Sequence, residues 1–102
     1  MRNYSRTSYN LSSKRKYLDR NDISDLPKES GVYFLYQKGD VLVYIGKAAN
    51  ICQRVPNHDS EKVFCKVGYE LTFLSRARIR EKQLIALYIE EHGQLPYYNK
   101  QR

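Results

Sequence analysis

A chain of 102 residues with Lys+Arg 18 against Asp+Glu 11 carries a net charge of +7, which leaves room for one small domain and makes a polyanion its natural partner. Two cysteines, Cys52 and Cys65, and two histidines, His58 and His92, lack the paired close spacings of a zinc finger, which argues against structural zinc. No apolar run has the length of a signal-peptide core or a membrane span, so the expectation is a soluble, cytoplasmic protein with no membrane partner and with reduced cysteines filling the core beside Ile51 and Phe64.

Residues 1–26 are rich in Ser, Asn, Tyr, Lys and Arg without apolar periodicity, and read as a flexible basic arm. Arg2, Arg6, Lys14, Arg15 and Lys16 are its candidate nucleic-acid contacts, with Tyr4, Tyr9 and Tyr17 as stacking faces for bases. The folded domain is expected over 27–102. Within it, Gly31 to Gln37 and Val41 to Gly46 are β-branched and aromatic runs around Lys38-Gly39-Asp40, the composition of a hairpin. Tyr33 and Tyr44 share a face only if paired residue numbers sum to an odd value, as a two-residue or four-residue turn would give.

Ala48 to Val55 places Ile51 and Val55 on one helical face, with Pro56 ending or bending the helix. Asn57 to Lys62 reads as a loop, and Tyr69, Leu71 and Phe73 alternate as a third strand. Arg78 to His92 is predicted as the main helix, with Leu84, Ile85, Tyr88 and Ile89 facing the core and Gly93 as its C-terminal cap. The fold class is therefore α/β, a small three-stranded, mainly antiparallel sheet flanked by helices.

Glu81 lies three and four residues before Leu84 and Ile85, on the apolar stripe of its helix, where a carboxylate calls for a partner. Pairing with Arg78 or Lys82 is the plain structural explanation. If the hairpin packs against this helix, however, Tyr33, Tyr44, Arg54 and Glu81 converge, and a lone carboxylate with phosphate oxygens suits a magnesium ion that keeps its waters. Arg54 offers a permanently charged fork for a five-coordinate phosphate. A tyrosine phenol takes a proton from water near neutrality only where cations lower its pKa, and Lys47 could supply that field. His58, four residues past Arg54, shares its face if the helix survives Pro56.

These residues carry a resemblance to the GIY-YIG nuclease superfamily, whose name spells the two hairpin signatures seen here as Gly31-Val32-Tyr33 and Tyr44-Ile45-Gly46. It continues through Lys47, Arg54, Glu81 with Leu84-Ile85, and Pro96 with Asn99, and spans Gly31 to Asn99. The resemblance implies metal-dependent hydrolysis of DNA, one Mg2+ or Mn2+ per active site. Tyr33 would be the general base, Tyr44 a supporting hydroxyl, Arg54 the transition-state cation, Glu81 the metal ligand, and Asn99 a brace beside Gly31 and Gly46. A histidine at the position of His58 is a feature of restriction-enzyme-like members. Specificity would come from the arm, a homodimer, a protein partner or a DNA shape. The alternative function is a non-catalytic nucleic-acid-binding module on the same scaffold, and a purely structural basic protein accounts for the charge but not for the ordered motifs.

Overall fold

The computed structural model describes residues 14–100. The strands β1 (Lys16–Asp19), β2 (Gly31–Gln37), β3 (Val41–Ala48) and β4 (Lys66–Leu71) form one four-stranded sheet in the order β1-β4-β2-β3, every neighbouring pair antiparallel. Two α-helices complete it, α1 (Ile51–Arg54) and α2 (Leu74–His92), together with three 3-10 turns, 20–25, 55–58 and 97–100. Among the described residues no helix is long and apolar enough to cross a membrane.

β2 is the inner strand, and Val32 to Tyr36 are buried on both of its faces, which is why its sequence is a continuous apolar run rather than an alternation. One face gathers Tyr33, Leu35, Val43 and Ala48 with Ile51 and Val55 of the α1 region. The other gathers Val32, Phe34, Tyr36 and Ile45 against Ala77 of α2, whose small side chain lets the helix approach the sheet closely.

The hairpin turn holds three residues, Lys38 to Asp40, with Gly39 at φ 83° and Asp40 at φ 60°. Paired residues next to the turn, Gln37 with Val41, sum to an even number, which alone would put the two signature tyrosines on opposite faces. A bulge between Leu35 and Tyr36 shifts the register, so that Leu35 pairs Tyr44 and Tyr33 pairs Gly46. Tyr44 therefore reaches the Tyr33 face through the bulge, not through the turn.

Four expectations require correction. The segment read as an arm is in part a strand: β1 pairs β4 from Lys16 with Tyr69 to Asp19 with Lys66, giving the sheet a fourth strand. The chain then follows a 3-10 turn that the Asp19 side chain caps by accepting from the Asn21 amide at 2.9 Å, and Leu26 is buried. Residues 1–13, with Arg2 and Arg6, lie outside the described residues. Phe73 is no strand residue but the exposed N-cap of α2, which starts at Leu74, four residues before the expected Arg78. Ile89 is exposed, while Leu84, Ile85 and Tyr88 pack on the core as expected. Cys65 is exposed, and only Cys52 packs against the core.

Candidate active site

Asn50 starts α1 by accepting a hydrogen bond from the Gln53 amide at 3.1 Å. Pro56 then tightens the chain into the 3-10 turn ending at His58, which carries the imidazole to the buried side of the segment. His58 is 5% exposed and its Nε2 lies 2.7 Å from the Tyr33 hydroxyl. The rings of Tyr33, Tyr44 and His58 are mutually close, Tyr44 and His58 at 5.0 Å and Tyr33 and Tyr44 at 6.0 Å between centroids. Gly46 makes this possible: a Cβ there would come within 2.7 Å of the Tyr33 hydroxyl and of Tyr44 Cε2. At Gly31 a Cβ would run into the Glu70 carbonyl oxygen, so both signature glycines answer to close approach.

Burial pushes the Tyr33 phenol up from its ordinary value, and the neighbouring Tyr44 adds to that, while Arg54 pulls the other way and loses. The field expected from Lys47 is not what governs this phenol; desolvation is. Arg54 itself is exposed, and its contact with the Tyr33 phenol holds the guanidinium further above its usual range. Burial, then the ammonium of Lys62 and the guanidinium of Arg54, push His58 down to about 4, so the imidazole is neutral at pH 7. Burial therefore keeps the proton on Tyr33, whose hydroxyl shares its hydrogen bond with His58 Nε2. His58 Nδ1 is the one buried side-chain nitrogen or oxygen without a partner among the described residues.

On the other face of β3, Lys47 Nζ donates to Glu81 Oε1 at 3.3 Å; Glu81 is 17% exposed. The expected pairing of Glu81 with Arg78 or Lys82 gives way to this cross-element pair. Tyr44 pairs Leu35 and Lys47 pairs Val32, residues of opposite faces, so the phenols and the carboxylate approach the sheet from opposite faces. They flank the outer strand β3 from its two sides. The free edge of that strand is covered by Asn99, whose Oδ1 accepts from the Ile45 amide at 2.9 Å and whose Nδ2 donates to the Ile45 carbonyl at 3.0 Å. The buried Asn99 thus fixes the backbone between Tyr44 and Gly46 as a neighbouring strand would.

A cation already sits at Glu81 in the form of the Lys47 ammonium, and among the described residues no cluster of three His, Cys, Asp or Glu exists. Such a donor set fits a hard dication that takes one carboxylate and otherwise keeps waters or phosphate oxygens. Of the arm cations, Arg15 is committed inward: Nε donates to Glu70 Oε2 at 3.1 Å, Nη1 to the Tyr36 hydroxyl at 3.2 Å, and the guanidinium covers the Phe34 ring at 3.8 Å. It is a structural residue and not a free phosphate contact. Lys14 and Lys16 are exposed. Tyr17, expected as a stacking face, packs against Tyr36 at 5.9 Å. Lys62, read only as the end of a loop, stands over the Tyr44 ring at 5.0 Å; the four-residue stride from Arg54 and His58 was the signal that could have found it.

No protein-family model matches the sequence. The chain is 37% identical over 83 residues to the UvrABC system protein C of Deinococcus radiodurans, covering 76% of this chain and 13% of that protein. Over 50 residues it is 42% identical to the same-named protein of Borrelia duttonii, covering 47% and 8%. The crystal structure of the GIY-YIG N-terminal endonuclease domain of UvrC from Thermotoga maritima, bound to its catalytic divalent cation magnesium, superimposes with a TM-score of 0.58 at 27% identity, covering 78% of this chain and 92% of that domain. With the two signatures, the hairpin and the ordered site residues in place, the chain belongs to the GIY-YIG nuclease superfamily and matches its catalytic domain. The particular proteins it resembles here are UvrC proteins, whereas His58 had pointed towards restriction-enzyme-like members. The chain spans about an eighth of the length of its Deinococcus relative.

Proposed function

We propose that this chain hydrolyses phosphodiester bonds of DNA in a reaction that needs one Mg2+ or Mn2+ ion per site and cuts one strand per encounter. The observation that carries this reading is the placement of Tyr33, Tyr44, His58 and Arg54 on one side of β3 and of Glu81 on the other, with Asn99 clamping the strand between them.

Glu81 would hold the ion once Lys47 swings away, and the ion would polarise a phosphate oxygen and shield developing charge. Arg54, exposed and fixed against Tyr33, binds a non-bridging phosphate oxygen and opposes the charge that builds in the transition state. The two phenols exchange the parts that the family resemblance implied. Tyr33 is 0% exposed and holds its proton against His58, so it positions Arg54 and the imidazole. Tyr44, partly open to solvent, is the phenol that can meet an incoming water and, once it has given its own proton to solvent, take the water's proton as the phenolate.

Target choice is proposed to come from a protein partner or a second copy, with the exposed Lys14 and Lys16 adding phosphate contacts. The pairing of Lys47 with Glu81 favours one other reading, in which the carboxylate is satisfied internally and the domain binds nucleic acid without cutting it. Supercoiled plasmid incubated with the protein in Mg2+, in EDTA and after Mg2+ is restored separates the two. Nicked circles that appear before linear DNA, vanish in EDTA and return with the metal are expected. Retarded but uncut plasmid under all three conditions would leave the binding module.

A further inference from the structure

Past Pro56 the chain tightens into three-residue bonds, the Asp59 amide to Pro56 O at 3.0 Å and the Glu61 amide to His58 O at 3.1 Å, before the Lys62 amide also bonds His58 O at 2.9 Å. His58 and Lys62 both face the Tyr44 ring, and the charges of Arg54 and Lys62 both bear on the His58 imidazole. The Lys62 side chain is 14% exposed, with its ammonium 5.0 Å from the Tyr44 ring centre and 5.7 Å from that of Tyr98. Tyr98 pins the same loop by accepting from the Val63 amide at 2.9 Å. Yet the one carboxylate on Lys62 among the described residues is Glu61, itself 65% exposed and 3.5 Å away.

A lysine that only covered aromatic rings would let its head reach open water. Here the stem and both ring faces hold the head in place, with ammonium hydrogens to spare and a weak, solvent-facing counter-ion. A preorganised ammonium beside an exposed guanidinium is suited to a group bearing several negative oxygens. We propose that Lys62 is a nucleic-acid phosphate contact, gripping the phosphate next to the one held by Arg54 and so setting the direction in which the strand crosses Tyr44. The inference rests on the nucleic-acid partner of the proposed function and not on the cleavage step.

Anisotropy of a labelled duplex oligonucleotide, titrated in EDTA at several salt concentrations, reads the contact without any cutting. For Lys62→Gln the expected result is a Kd raised by roughly three- to tenfold and a salt slope smaller by about one, with Lys62→Arg restoring both. Lys38→Gln in the hairpin turn, an equal loss of charge, should leave the slope as in the parent. Thermal melting checks that Lys62→Gln folds; if it does not, Lys62→Met keeps the stem over the two rings and gives the same reading. A folded variant with the parent's slope, a change of slope shared by Lys38→Gln, or a parent that does not bind the duplex overturns the proposal. A parent that binds through Lys62 but never cuts plasmid would sink the hydrolase reading alone.

Discussion

Tyr33 and Tyr44 carry the same phenol on the same face of one hairpin, yet the first is sealed between Arg54 and His58 while the second meets solvent. Sequence spacing supplied both residues but could not apportion their work, because exposure depends on α1 and the 55–58 turn folding over the strand. Tyr44→Phe should therefore abolish cleavage with unchanged DNA affinity and melting temperature, whereas Tyr33→Phe should keep part of the rate and lose stability; the single-turnover rate and melting curve of each variant check this. His58 adds a pH signature. Its pKa falls from 6.5 to about 4 on folding, so the unfolded chain binds a proton that the folded one refuses. The stability tied to this neutral imidazole is complete above pH 6.5 and is lost as pH falls towards 4. Urea melts between pH 7 and 4 should show that loss, and His58→Gln should flatten it within this window. Lys62 escaped the sequence reading for a related reason: Pro56 looked like a terminator, and only the tightened turn after it carries the chain round to Tyr44.

Among the elements, the hairpin and α2 were legible because burial leaves a pattern: continuous apolar residues in β2, and a stripe at three and four in the helix with Gly93 at φ 78° closing it. β1 was not legible. Its residues are mostly exposed, and what attaches it is backbone pairing with β4 and the Arg15–Glu70 contact, neither of which shows as periodicity. Glu70, 4% exposed, is held between Arg15 at 3.0 Å and Arg80 at 3.1 Å, so a single carboxylate of β4 ties the residue just before β1 to α2. Glu70→Ala leaves two half-buried guanidiniums without their anion and should cost about 3 kcal/mol or more in a urea melt. An effect below about 0.5 kcal/mol, the range of ordinary surface changes, would show that β1 does not depend on this clamp. The bulge at Leu35/Tyr36 was equally hidden, since either turn length could be written into the same letters, and it alone decides that Tyr44 joins Tyr33.

For the whole molecule, charge, signatures and order of site residues were enough to reach the family, because each names a chemical requirement at the surface of a small sheet. The two-sided arrangement around β3 was not, since it depends on which faces α1 and α2 cover. That arrangement makes Glu81 the group on which the proposed hydrolysis turns. Its most direct test is the single-turnover cleavage rate of Glu81→Gln in Mg2+, with duplex affinity measured alongside in EDTA. The expected outcome is a rate lower by on the order of a hundredfold or more with affinity equal to or tighter than the parent's. Cleavage at the parent's rate by the folded variant would contradict the account.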